Sequence, residues 1–463
     1  LGSRKKAVLL LLCMLILTSC GSAKNFSEVK EENIAQTTYV SLQDAIIPEV
    51  SEIDSTESES KYAFVYPSIN YLVDKETENV LENNYTEIDV NGKLYPYSYY
   101  YFKDDEVLSK AYLLLYNSIY DMKETIEFND IKISLDDLNK VLFVMLYDNP
   151  DFYYVQGNGA WKVLLDDTIE TQNLNLGFVP VLNIKLNYLY NRETVDTFNK
   201  SMNDAFIEIE QHIPKDLSRY DLYVWLHDFV IQNIEYETDP LARHNDVLAG
   251  LIDRYGMCNA FAMTYNYLCR NLGITTACVR GDAGASHIWN AVPYEGSWMF
   301  VDCTMDNIDS SANNWCKHGT FGYSEDYLQN VLKYSIFTED DGLEFCPYPK
   351  CDNSELLYKD KCGYNYTIDS EDCLQKIEDL LVTNINIYGK SYIEVFVSDE
   401  NVYSNIKDNI LNTNNKEFFD MLENVKNRVT GCVVDLQQVG LSSEDWNKSF
   451  ILYVFTEKVK DEF

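Results

Sequence analysis

Positive charge is scarce in this chain. Lys and Arg number 37 against 74 Asp and Glu, a net charge of -37, and no basic cluster offsets the deficit. So acidic a surface repels nucleic acid and anionic lipid, which disfavours nucleic-acid binding. Histidine is scarcer still, with five residues: His212, His227, His244, His287 and His318. No paired C-x-x-C accompanies Cys303, Cys316 and His318, and no acidic loop has calcium-binding spacing. Neither a metal site nor a cofactor is therefore expected. No internal repeat is present, and the apolar run Ala7–Leu17 is too short for a stable membrane span.

What that run does offer is an address. Arg4-Lys5-Lys6 precedes it and Leu17-Thr18-Ser19-Cys20-Gly21 follows, so residues 1–20 read as a secretion signal. The last five residues resemble a bacterial lipobox, which implies that Cys20 receives the lipid and anchors the chain outside the cytoplasm, at the cell surface. From Lys24 to Ser60, nine acidic residues stand against two basic, with little periodicity. Such a segment cannot bury enough apolar surface to order itself, so 21–60 reads as a solvated tether.

The chemistry concentrates between Tyr255 and Asn307. Cys258, His287 and Asp302 occur there in that order, 29 and then 15 residues apart. A thiol nucleophile, a base and a group that orients the base have this composition. After Cys258 the chain is free of breakers, with Phe261, Tyr265, Leu268 and Leu272 at helical spacing and Gly273 at the expected left-handed cap. Cys258 thus falls at a helix N-terminus, where the dipole favours a thiolate and the cysteine N–H is a candidate oxyanion donor. His287–Val292 and Trp298–Asp302 read as two strands of a hairpin. A turn of two or four residues centred on Glu295-Gly296 would set Trp289 opposite Asp302 and leave His287 and Asp302 diagonal neighbours on one face; a three-residue turn would change that parity.

Several stretches in this region resemble the transglutaminase-like core, a rearranged relative of the papain fold. They are Ile234-Glu235-Tyr236, Gly256 to Ala262, Leu272-Gly273-Ile274, His287 to Val292 (H-x-W-N-x-V) and Trp298 to Thr304 (W-x-x-V-D-x-T). Asn259-Ala260 after the cysteine and Cys303 after the aspartate depart from the usual pattern. The resemblance implies a papain-related α+β core with Cys258, His287 and Asp302 catalytic, acting on protein or peptide amides, cell-wall peptide among them, by cross-linking or hydrolysis. Trp289 and Trp298 are candidate walls of the substrate site, with core packing an equal alternative. A non-catalytic binding module on the same fold is the competing expectation.

Around this core the chain reads as an N-terminal α+β domain (61–190), the catalytic core (191–325) and a small C-terminal α/β domain (326–463). In the first, Ile88–Leu94 signals a hairpin, 105–120 and 134–147 read as helices, and 151–155 and 179–190 as strands. Its many tyrosines fit a core better than a stacking surface. Two helices, 192–213 and 218–234, lead toward the cysteine, with His227 a packed or solvated bystander and His244 another. Cys346, Cys351, Cys362 and Cys373 lie irregularly in a Pro-, Asp- and Tyr-rich segment, where one or two disulfides are expected rather than zinc. The C-terminal order is helix, strand (392–397), helix, helix (416–425), strand (432–437), strand (449–456).

Overall fold

The computed structural model describes residues 61–67, 85–155, 161–165, 180–237, 245–307, 316–361, 367–370, 372–411, 414–445 and 448–458. The signal, Cys20, the tether, His244 and Cys362 lie outside the described residues. No described helix is long and apolar enough to cross a membrane.

Helix starts follow local capping chemistry. Asp105 accepts from Val107 N and Leu108 N to open one helix (α2, Glu106–Tyr120) after a short first one (α1, Tyr97–Phe102). Ser134 accepts from Asp137 N to open the next (α3, Leu135–Asp148). Both offer a side-chain oxygen to N–H groups that have no partner within the helix. α3 ends at Asn149-Pro150, as expected. The chain then makes a 3-10 turn, Pro150–Phe152, where a strand is expected over 151–155; only a single bridge, Val155 to Tyr188, survives. The reason lies at Pro150, whose fixed φ suits the first position of a helical turn, and the turn closes through Phe152 N donating to Asn149 O at 3.0 Å. A three-stranded antiparallel sheet, ordered β1 (Thr125–Glu127), β3 (Val181–Leu186), β2 (Trp161–Leu165), completes this part. Tyr99, Tyr112, Tyr116, Tyr153 and Tyr154 all lie in its core.

Two longer helices follow, α4 (Arg192–His212) and α5 (Arg219–Asn233), the second capped by Ser218. α5 is buried on nearly every side. The segment 61–67 straps across it: Val65 N donates to Asn233 Oδ1 at 2.8 Å, and Asn233 Nδ2 donates back to Val65 O at 2.7 Å. Trp225 Nε1 donates to Pro67 O, and Phe64 packs on Phe229. Short parallel strands β4 (Glu235–Tyr236) and β5 (Tyr255–Gly256) then deliver the chain to the buried helix α6 (Cys258–Asn271).

A five-stranded antiparallel sheet lies beside α6. Its order is β10 (Ser335–Ile336), β6 (Ala277–Asp282), β7 (Ser286–Tyr294), β8 (Ser297–Val301), β9 (Phe321–Tyr323). One hydrophobic core runs from Phe64 to Leu356, and a smaller cluster on the sheet's other face includes Trp289, Trp298 and Phe300. A separate core spans Ile368 to Val454. There a four-stranded sheet, β11 (Thr367–Ile368), β12 (Tyr392–Val397), β14 (Ser449–Lys458), β13 (Cys432–Glu444), packs with helices that include Leu374–Thr383 and Lys416–Arg428. The architecture is α+β, as expected.

The disulfide expectation is corrected. Cys346, Cys351 and Cys373 are unbridged, as are all the other described cysteines, and all three are buried. They serve as small apolar groups in the packing, and burial pushes each thiol's pKa up.

Candidate active site

Cys258 opens α6 from a cramped entry. Met257 is the N-cap in extended conformation, and Asn245 reaches across to accept from Met257 N (3.0 Å) and Ala260 N (3.1 Å). A side chain from a separate loop therefore fixes the first turn in place of a capping residue at position 257. The thiol sits at the positive end of a fourteen-residue helix and is 2 % exposed.

The β7–β8 hairpin brings the other two residues together. Its turn is Glu295-Gly296, with φ of +48° and +77°, and the register pairs Tyr294 with Ser297 and Asn290 with Val301. Positive φ at both turn residues is the I′ geometry that matches strand twist. Continuing the register sets Asp302 opposite Trp289, so the two-residue turn is the one the chain adopts. His287 Nε2 lies 2.8 Å from Asp302 Oδ2, both groups being buried.

Both carboxylate oxygens of Asp302 are committed. Oδ1 accepts from Thr304 N (3.1 Å) and Met305 N (3.2 Å), capping a short helix, α7 (Cys303–Asn307), while Oδ2 faces the imidazole. A carboxylate only accepts, so Nε2 carries the proton and Nδ1 becomes the basic nitrogen of the neutral ring. Thr320 brackets the same residue: Asp302 N donates to Thr320 O at 2.9 Å, and Thr320 Oγ1 donates to Asp302 O at 2.9 Å. β7 in turn packs on α6, where Asn290 Nδ2 donates to Ala262 O at 3.1 Å. The H-x-W-N stretch thus supplies the imidazole, an apolar backing and a strut to α6.

Trp289 is that backing. Its ring centroid is 5.8 Å from His287, it packs on Phe300 and Tyr334, and its buried Nε1 has no hydrogen-bond partner. Trp298 lies further along the hairpin, edge-on to Tyr85 and Tyr97. A cavity of about 270 Å³ opens beside α6, lined by Asn259 and Met263 of the helix together with Phe143, Phe152, Tyr153 and Asn245.

A second polar cluster joins Asp302 through Thr320, and sequence reasoning did not assemble it. His227 Nε2 is 3.1 Å from Asp306 Oδ2, and its Nδ1 is 3.2 Å from Asp228 Oδ1. His318 Nε2 meets the same Asp228 oxygen at 2.8 Å, and its Nδ1 meets Glu394 Oε2 at 2.7 Å. Burial would lower the His318 pKa, but the charges of Asp228 and Glu394 outweigh it and lift the ring to about 10. Burial would likewise raise Asp228, yet the His318 charge and both imidazole hydrogen bonds hold it well below the usual carboxylate range. Among the described residues, His227, Asp228 and His318 are the set whose donor atoms converge closely enough to hold a cation, all within 4.8 Å. Those atoms are instead bonded to one another, which makes the cluster a proton-sharing network. His227 is thus a fully buried network member, and the signal available in sequence was only its neighbour Asp228.

Residues 209–303 match the family model described as Transglutaminase-like superfamily. A peptide-N(4)-(N-acetyl-beta-glucosaminyl)asparagine amidase from Drosophila melanogaster is 31% identical over 96 residues, 19% of this chain. The match spans only 15% of that protein's length. Among solved structures, a putative cysteine protease from Cytophaga hutchinsonii resembles 34% of this chain and 60% of its own, at 17% identity and a TM-score of 0.20. A structure described as a TGase resembles 37% of this chain and 49% of its own, at 14% identity and a TM-score of 0.23.

Proposed function

Because this chain carries a core of the transglutaminase-like superfamily, we propose that it is a cysteine-dependent enzyme acting on amides of proteins or peptides. Cys258 attacks the amide carbonyl, with its thiol proton passing to Nδ1 of His287. Asp302 holds Nε2–H and so fixes the productive tautomer. The imidazolium then returns its proton to the leaving amine as the acyl group stays on sulfur. Water or a second amine takes the acyl group from the thioester and releases the thiol. The observation that carries this reading is the buried 2.8 Å contact between His287 and Asp302, on a strand packed against the helix that Cys258 opens.

The address joins the proposal. Lipid attachment at Cys20 and the acidic tether would hold the domain outside the cytoplasm, within reach of cell-surface protein or cell-wall peptide. The amidase relative favours hydrolysis over cross-linking, since its name describes amide cleavage. Incubating the protein with casein and a labelled primary amine separates the two: label incorporation marks transamidation, and ammonia or new peptide amino termini without incorporation mark hydrolysis. Cys258→Ala must abolish either signal, and a signal that survives it removes the thiol mechanism. Failure of every amide substrate with intact protein would favour the binding module.

A further inference from the structure

The C-terminal domain reaches the proposed triad through a continuous chain of buried polar contacts. Glu394 on β12 accepts from His318 N at 3.1 Å through Oε1, and its Oε2 faces His318 Nδ1. From His318 the chain runs through Asp228 and His227 to Asp306, as described above. Both oxygens of Asp306 accept from Thr320 N at 3.1 Å. Thr320 then holds both the N–H and the C=O of Asp302. Asp306 also sits on α7, the short helix that Asp302 itself caps.

Each member is buried, with relative exposure between 0 and 7 %. Removing one acceptor leaves its partner desolvated and unpaired, so the members of the network depend on one another. Two further contacts seat the domain at the same place. Phe396 of β12 packs on Tyr358, whose ring stacks on His318 at 3.8 Å, and Cys316 N donates to Tyr392 OH on β12 at 3.1 Å.

We propose that Glu394, His318 and Thr320 are positioning residues for the triad, so that the C-terminal domain fixes the orientation of Asp302 instead of acting as a detached binding module. The inference rests on the triad reading above. Its physical basis is lever-like: Asp302 divides its two oxygens between α7 and His287, so a rotation of α7 moves the oxygen that holds the imidazole. Displacements on the order of 1 Å at a catalytic contact cost roughly a hundredfold.

The test measures iodoacetamide alkylation of Cys258 against pH by peptide mass, in the full chain and in Glu394→Gln, Thr320→Val and Thr320→Ser. Cys316, buried at the domain junction, is followed in the same digest as a reporter of undocking. We expect wild-type Cys258 to react below the ordinary thiol pKa of about 8.5. Glu394→Gln and Thr320→Val should slow that low-pH reaction at least about tenfold, while Thr320→Ser, which keeps the hydroxyl donor, retains it and Cys316 stays protected. A Glu394→Gln protein with the wild-type profile overturns the proposal. So does a loss that appears only together with Cys316 alkylation, because undocking alone then explains it. A wild-type Cys258 without low-pH reactivity overturns the triad reading itself, and the proposal with it.

Discussion

Arg270 offers a severe test of how the N-terminal part is held to the nucleophile's helix. It lies in the last turn of α6 and is 3 % exposed. Its Nε donates to Leu94 O at 2.9 Å, one terminal nitrogen donates to Asn149 Oδ1 at 3.0 Å, and the other donates to Tyr116 OH at 2.8 Å and to Asp89 Oδ2. Asp151 Oδ2 lies 3.4 Å away. Arg270→Met fills much of the volume but leaves the Asp89 carboxylate buried without its cation. Breaking a buried pair from one side costs about 3–5 kcal/mol. With a urea slope of about 3 kcal/mol per M for a unit of this size, the first unfolding midpoint should fall by roughly 1.3 M. Tryptophan fluorescence reads that midpoint, since Trp225 and Trp289 lie in the affected cores. Adding Asp89→Asn should restore part of the loss, because the uncompensated charge is gone. A midpoint shift under about 0.3 M in the single variant, about a quarter of that expected for a buried-pair loss, would refute the assignment of Arg270 as the joint between the two parts.

Further outcomes follow from the site and its surroundings. Asp302→Asn keeps an acceptor for α7 but loses the charge that steadies the imidazolium, so amide turnover should drop by about 10²–10⁴-fold with the melting curve little changed; equal turnover would remove Asp302 from the mechanism. The His318 pKa is raised in the fold, so its stabilisation is complete below about pH 6.5 and disappears as pH rises through about 10. The depressed Asp228 acts oppositely: its contribution is complete above about pH 4 and is lost on further acidification. Docking of the C-terminal domain, read by Cys316 protection, should therefore fail at both extremes, and His318→Gln should flatten the alkaline side. Gly281 pairs with His287 across β6 and β7, and a Cβ there would lie 2.0 Å from Ser335 O and 2.8 Å from the Trp289 ring. Gly281→Ala should push β10 off the sheet edge and lower the melting temperature by several degrees; an unchanged melt would show that this edge yields freely.

What could be read ahead of the structure was local. The Glu295-Gly296 turn set the parity of the hairpin, and with it the meeting of His287 and Asp302. Ser134 marked its helix start because a hydroxyl three residues ahead of an acid is a short-range signal. The strand Tyr392–Val397 was legible from its apolar run, although all its residues are buried and alternation is absent. What escaped depends on distant partners. His227 meets Asp306 across 79 residues and His318 meets Asp228 across 90, separations at which spacing carries no information. Asn245 escaped for a similar reason: it caps a helix that starts 13 residues later, from outside the usual N-cap position. The 3-10 turn at Pro150 misled because its aromatic residues resemble a strand while the proline's fixed φ opens a helical turn.

The strap at 61–67 has a practical meaning for anyone who would move this active site elsewhere. Sequence similarity to the superfamily begins at residue 209, inside α4. Yet Asn233, Trp225 and Phe229 of the next helix find their partners more than 140 residues earlier, at Phe64, Val65 and Pro67. A fragment trimmed to the recognisable stretch would expose an aromatic helix face and leave a buried amide unsatisfied, inviting aggregation ahead of any loss of chemistry. The smallest transplantable unit therefore begins no later than Phe64, and its boundaries follow contacts instead of homology.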